Sequence, residues 1–196
     1  MKIWNSYNKK LEWKEIVMEL VVTEKASVAQ AIASVLGAKQ RKNGYIMGNG
    51  YIISWCVGHL VQLAQPESYC EEWKKWNYES LPIIPDEFSY QVKDGVKKQF
   101  KIVSDILNRP DVDVIYVCTD SGREGEYIYR LVEMQANVQG KKRRRVWIDS
   151  QTEEEILRGI KEAKPMSEYE NLGKSGIMRT IEDYAMGINF SRLLSL

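Results

Sequence analysis

A chain of 196 residues, 44% of them hydrophobic, is long enough for one domain, or one domain and part of a second, around a real core. Its formal net charge of +1 supplies no global field that demands a polyanionic partner, so any nucleic-acid contact must come from local patches. The cysteines Cys56, Cys70 and Cys118 form no C-x-x-C pair, no apolar stretch approaches the ~20 residues that span a bilayer, and the N-terminus lacks a signal-peptide core, so the expectation is a cytoplasmic protein.

Residues 1–17 are polar, with Trp4, Tyr7 and Trp13 among lysines, and read as a leader ahead of the fold, with Met18 as an alternative start. Residues 16–22 predict the first strand, which ends in Thr23-Glu24-Lys25-Ala26-Ser27. Ser27 can cap a helix over 28–36, whose Val28, Ala29, Ile32, Ala33 and Leu36 share one face and which Gly37 can close. Tyr45-Ile46-Met47, the turn Gly48-Asn49-Gly50, and residues 51–55 give a β-hairpin. His59 is the only histidine, which excludes a His-based metal site; alone in an apolar stretch, it reads first as a structural hydrogen-bonder. Residues 66–92 carry Trp73, Trp76, Tyr78, Pro82, Pro85 and Phe88 and predict a loop packed over the core; base stacking is the alternative use of such aromatics. Residues 96–107 predict a helix with Phe100, Val103, Ile106 and Leu107 on one face, ended by Arg109-Pro110.

The chain is organised around residues 114–130. The apolar run Val114-Ile115-Tyr116-Val117-Cys118 stops in Thr119-Asp120-Ser121-Gly122, and Tyr127, Ile128, Leu131, Val132 and Met134 then follow at helical spacing. This is a buried strand, a tight loop and a helix. Ligands of open α/β sheets bind at the carboxyl ends of the strands, so Asp120, Glu124 and Glu126 form three carboxylates around one strand tip. Such oxygen-rich clusters suit Mg²⁺. Equally, Asp120 can cap the helix while the two glutamates favour its positive end. Glu24 lies at another strand tip and meets Asp120 if the two strands are parallel neighbours. Lys141-Lys142-Arg143-Arg144-Arg145 is either a nucleic-acid patch or a solvated loop before a strand at 145–148. Thr152 caps a helix over 156–163 with acids in its first turn. Residues 172–196 form a helical segment with few partners left in the chain, and its apolar end looks truncated.

These residues, in this order, resemble the Toprim domain of type IA DNA topoisomerases, in the bacterial topoisomerase III branch. Thr23-Glu24-Lys25-Ala26-Ser27-Val28-Ala29 resembles the first-strand motif E-K-P-S-x-A, with Ala26 where proline is common. Gly58-His59-Leu60 resembles the G-H-L segment, and Asp120-Ser121-Gly122-Arg123-Glu124-Gly125-Glu126 resembles D-x-D-R-E-G-E. Residues 147–152, followed by acids and Ile156, resemble S-x-T-x-x-x-I. Arg179, Asp183, Gly187, Ser191 and Arg192 resemble R-x-x-x-D-x-x-x-G-x-x-x-S-R, where these enzymes enter the next domain.

The resemblance implies an α/β fold: a four-stranded parallel sheet flanked by helices, with an added β-hairpin, over residues 18–165. Residues 166–196 would be the helical start of a DNA-binding domain. It further implies Mg²⁺ as cofactor and a single DNA strand passed through a transient 5′-phosphotyrosine break. Glu24 would be the catalytic acid/base and Lys25 the contact to the scissile phosphate, with Arg123 a structural or phosphate-facing cation. Asp120 and Glu124, with Glu24, would hold the metal, and Glu126 would be a supporting acid. Arg179, Asp183, Arg192 and His59 would contact DNA. Gly122 stands where the second Asp of D-x-D is usual and removes one ligand. The nucleophilic tyrosine of the family lies in a later domain, so an N-terminal fragment inactive by itself is expected; its partners would be single-stranded DNA, the remaining domains and, as a further candidate, a helicase. Two other functions compete: a stand-alone Toprim nuclease or primase-like phosphotransferase, and a non-catalytic module that binds through residues 141–145.

Overall fold

The structure, a computed structural model, describes residues 17–196; the leader expected at 1–17 falls almost wholly outside them. Strand β1 (Met18–Thr23) lies between β4 (Tyr51–Trp55) and β7 (Val112–Cys118), parallel to both, and β7 is parallel to β8 (Lys142–Arg145). The order β4-β1-β7-β8 is the expected four-stranded parallel core. Antiparallel strands lengthen it at both borders: β2 (Gln40–Lys42) and β3 (Tyr45–Gly48) beside β4, and the short β9 (Lys164–Pro165) beside β8. The hairpin of β3 and β4 turns through Asn49 and Gly50, both at positive φ (51° and 82°), the pairing of residues that a two-residue turn of this twist requires. A separate ribbon pairs β5 (Val61–Leu63) with β6 (Tyr90–Val92).

Both faces of the parallel core are covered, which is why its strands read as unbroken apolar runs. Successive residues of β1 serve opposite faces: Leu20 and Val22 pack with Val103 and Leu107 of α2 (Lys97–Leu107) and Ile128 and Leu131 of α3 (Arg123–Gln135). Val21 packs on the other face with Ala29 and Ile32 of α1 (Ala26–Val35) and Ile156 of α4 (Glu153–Lys161). Thr152 caps α4 as expected, accepting from the Glu155 amide at 3.4 Å. In α1 the cap position is Lys25, without a side-chain bond, and Ser27 lies inside the first turn.

Two other expectations are corrected. The basic run 142–145 is itself strand β8, not a solvated loop, and each of its cations is engaged. Lys142 pairs with Asp113 at 3.3 Å and Arg143 with Glu133, while Arg144 donates to Ala163 O at 3.2 Å. Arg145 is fully buried, and the preceding Lys141 donates to Arg109 O and Val112 O at 2.7 and 2.6 Å. The long stems of these side chains reach partners on neighbouring elements. The C-terminal helix α5 (Glu170–Ser195) likewise has ample partners. Glycines let it lie close against α3: a Cβ at Gly176 would sit 2.8 Å from Arg123 O, and one at Gly173 2.3 Å from Arg130 Nε. Farther along, Tyr184 Oη donates to Ala64 O at 2.9 Å and Asn189 exchanges two bonds with Ile83. The aromatic segment between β5 and β6 is thus pinned under α5. Among the described residues, no helix is long and apolar enough to cross a membrane.

Candidate metal and phosphate site

Because β1 and β7 are parallel neighbours, with Thr23 opposite Cys118, the residues just past their tips share one edge of the sheet. Glu24 and Asp120 meet there through a cation. Lys25 Nζ lies 3.3 Å from Glu24 Oε1 and 3.2 Å from Asp120 Oδ2. Its ammonium pKa is raised, first by the hydrogen bond to Asp120 and then by that to Glu24. The three side chains differ in exposure: Lys25 and Asp120 are each 56% exposed, Glu24 only 11%. Behind Glu24 lies Cys56, whose thiol is pushed up to about 12 by burial and then by the Glu24 charge; Cys118 is raised as far by burial. Neither is a reactive thiolate at neutral pH.

The loop after β7 is held by its backbone. Thr119 Oγ1 donates to Gly125 O at 2.8 Å. A Cβ at Gly125 would come within 1.9 Å of Asp120 O, so only glycine lets the first turn of α3 close this tightly on the strand tip. Gly122 is different: its φ of 172° is ordinary extended backbone, and nothing lies within 4 Å of a Cβ built there. No local packing demands glycine at the place where the family motif carries a second aspartate. Ser121 Oγ donates to Ile148 O and accepts from Ile148 N, at 2.9 and 3.2 Å, tying the loop to the segment after β8.

Glu124 turns to the other side and meets His59 Nε2 at 2.6 Å. His59 follows a sharp turn in which Val57 and Gly58 both have positive φ (45° and 75°), a strained conformation for a β-branched residue. The turn aims the imidazole at α3, 6.0 Å from the Tyr127 ring. Glu126 departs from the expected trio around the strand tip. It points inward, fully buried, to Arg145 Nε at 2.5 Å and Arg130 Nε at 3.0 Å. Among the described residues, no three His, Cys, Asp or Glu side chains stand close enough together to hold a metal ion. Glu24 and Asp120 share Lys25, and Glu124 is engaged by His59.

Three hollows surround this edge. One of about 370 Å³ holds Asp120, Gly122, Arg123, Glu124 and Arg179. One of about 360 Å³ runs from Asp120 to Asp149, Ser150 and Gln151. The third, about 470 Å³, lies between His59, Glu124, Tyr127 and Asp183. Arg179 thus reaches the strand tips, paired with Asp183 at 2.8 Å. Arg192 does not. It is buried 13 residues beyond Arg179 on α5, roughly 20 Å away at helical rise, donating to Trp73 O at 2.6 Å with its guanidinium 5.4 Å from the Trp76 ring centroid. Tyr127 and Tyr129 are both buried; burial pushes the Tyr127 phenol to about 12 and the Tyr129 phenol well above its ordinary value, so neither is prepared as a nucleophile. The residue that sequence reasoning missed is Arg145. The only available signal was its place between a basic run and the apolar Val146.

The Toprim domain family matches residues 19–150 of this chain. Among curated proteins, the chain is similar to the DNA topoisomerase 3 of Shouchella clausii (strain KSM-K16), 43% identical over 175 residues that cover 89% of the chain and 24% of the relative. It is similar also to those of Bacillus subtilis (strain 168) and Bacillus thuringiensis (strain Al Hakam), each 42% identical over 176 residues, 90% of the chain and 24% of the relative. The chain spans about a quarter of the length of these relatives.

Proposed function

The chain belongs to the Toprim domain family and is similar to type IA topoisomerases of the topoisomerase III branch, and from that premise we propose that it is the metal- and phosphate-binding part of such an enzyme. In this proposal a single DNA strand is cut as a transient 5′-phosphotyrosine and resealed without ATP. The tyrosine comes from further domains of a longer protein, so the chain by itself does not relax DNA. Residues 166–196 begin the next, DNA-binding domain, and the exposed Met178, Met186, Phe190 and Leu194 of α5 are where those domains pack. The protein works in the cytoplasm on single-stranded DNA, with a helicase as partner.

The observation that carries this is the joining of Glu24, Lys25 and Asp120 at adjacent parallel strand tips, with both carboxylates within 3.3 Å of one cation. The edge already holds a positive charge, and its donors are hard carboxylate oxygens, which fit Mg²⁺. Glu24 and Asp120 would hold the ion, joined by Glu124 once it leaves His59, since the three acids are not gathered in this structure; the ion when bound supplies charge stabilisation to the phosphoryl oxygens. Lys25, exposed and kept protonated by its two acids, then binds a non-bridging oxygen of the scissile phosphate. Glu24, the least exposed of the acids at this edge, moves a proton to and from the 3′ oxygen. Arg123 and Arg179 face the phosphates from the hollow they share with Asp120, and Asp183 orients Arg179. His59 sets Glu124 and contacts the strand in the neighbouring hollow; Arg192 holds the far end of the track.

Titration calorimetry of Mg²⁺ into the chain with a short single-stranded oligonucleotide tests this. Binding should be present in the wild type and lost in Asp120→Asn. Equal binding in both would place the metal elsewhere and overturn the assignment. Cleavage of the oligonucleotide by the chain alone would favour a stand-alone nuclease instead.

A further inference from the structure

Among the described residues Arg145 is the most completely enclosed cation, at 0% exposure, and it sits directly behind the strand tip. Its Nη1 donates to three carbonyls: Val117 O at 2.9 Å, Thr119 O at 2.7 Å and Val146 O at 2.9 Å. Its Nη2 donates to Asp120 O at 2.6 Å, and its Nε to Glu126 Oε1 at 2.5 Å. The guanidinium lies 5.2 Å from the Trp147 ring centroid. One planar group therefore binds the last turns of β7 and the first turn of α3, with its charge matched by Glu126. The same Asp120 carbonyl is also approached by Gly125, where a Cβ would sit 1.9 Å away. The carbonyl is gripped by both a glycine and a guanidinium, and this fixes the direction in which the Asp120 side chain leaves the strand.

We propose that Arg145 is the positioning residue of the Asp120 loop, and that the Glu126–Arg145 pair exists to aim the Asp120 carboxylate at the shared edge with Lys25 rather than only to fill the core. Three features favour positioning. Four of the five donor contacts go to the loop and its two flanking elements, the fifth to the neighbouring Val146 O, and the fork geometry cannot be copied by lysine, whose ammonium is a point charge. A pair of ions is an expensive core filling, since an apolar pair of the same volume is often as stable or more so. Glu126 also continues outward, through Arg130 to Glu170 at 3.0 Å, so the foot of α5 and the loop share one charged network.

The test compares the whole chain with Arg145→Lys, with Glu126→Gln, and with Leu107→Ala, a cavity variant in a fully buried position of α2. Amide hydrogen exchange and Mn²⁺ affinity are measured for each. Arg145→Lys should speed exchange at residues 119–122 by tenfold or more while β1 and β4 stay at wild-type rates, and should weaken Mn²⁺ binding about tenfold. Glu126→Gln, which leaves the arginine in place, should do the same to a lesser degree and remains informative if the lysine variant does not fold. Leu107→Ala should lower thermal stability yet leave the loop and the Mn²⁺ affinity unchanged. Wild-type exchange at 119–122 in a folded Arg145 or Glu126 variant would overturn the proposal, as would equal loosening of the loop in Leu107→Ala. The metal assignment fails separately. If the wild-type chain binds no Mn²⁺ but Arg145→Lys still frees the loop, positioning stands and the assignment of the ion to Asp120 falls.

Discussion

At the scale of single residues, Gly122 and Lys25 carry opposite lessons about charge at the strand tips. Gly122 is extended, with open space around it. Replacing it by Asp should be tolerated by the fold and should strengthen Mg²⁺ binding severalfold, since a carboxylate ~4 Å from a cation gains about 1 kcal/mol per unit charge even in water. Calorimetry on Gly122→Asp that found unchanged or weaker binding would show that the side chain there does not face the ion. Lys25 has its pKa raised by Asp120 and Glu24. A raised folded-state value means that the bridge stabilises the protein fully below the unfolded lysine value, and that this contribution disappears as pH rises through the folded one. Wild type should therefore exceed Lys25→Met in urea midpoint at pH 7 and converge with it in strong alkali. The difference will be small for so exposed a group. A gap that persists unchanged into strong alkali would mean that Lys25 stabilises through its stem and not its charge.

Secondary elements show what could be read in advance and what could not. The β7–α3 unit was legible because its signals agree: a β-branched run, a stop at Thr119-Asp120, and helical spacing after it. The meeting of Glu24 with Asp120 was legible only on the condition that β1 and β7 be neighbours, which the structure fulfils. Strand β8 was hidden because four consecutive cations oppose strand propensity. Its stability comes from partners such as Glu133 and Glu126, which lie on a different element and carry no sequence signal of pairing. For the same reason Glu126 seemed one more acid at the tip: helical spacing gives the face only once the start of the helix is known to a residue. The packing of α5 rests on glycines that sequence alone marks only as weak helix formers. Their roles separate by substitution. Gly176→Ala should destabilise by about 1–3 kcal/mol through the clash with Arg123 O. Gly187→Ala, with nothing within 4 Å, should stabilise by about 0.5–1 kcal/mol. Denaturant midpoints that move the same way for both would contradict the close α3–α5 contact.

Taken as a whole, the molecule places chemistry along one edge of a parallel sheet and lays a long helix beside it. From Arg179 near the strand tips to Arg192 beside Trp76, α5 borders a line of hollows that share residues: Glu124 lines both the hollow at Arg123 and Arg179 and the one at His59 and Tyr127, and Gln65 lines both the latter and a further hollow of about 490 Å³ at Trp76 and Arg192. The two cations on this line differ: Arg179 is exposed beside the strand tips, whereas Arg192 is buried and spent on the Trp73 and Lys75 carbonyls. The four parallel strands themselves stay interior to the sheet, and the borders are left to β2 and β9. Those borders have a consequence for how the protein behaves when crowded. Gln40, Arg41 and Lys42 of β2 are all exposed, and β9 offers two residues, one of them a proline with no amide to donate. Neither side can easily template a strand from a neighbouring molecule. The exposed apolar residues of α5 therefore lie on a molecule whose sheet borders offer little foothold for amyloid-like growth.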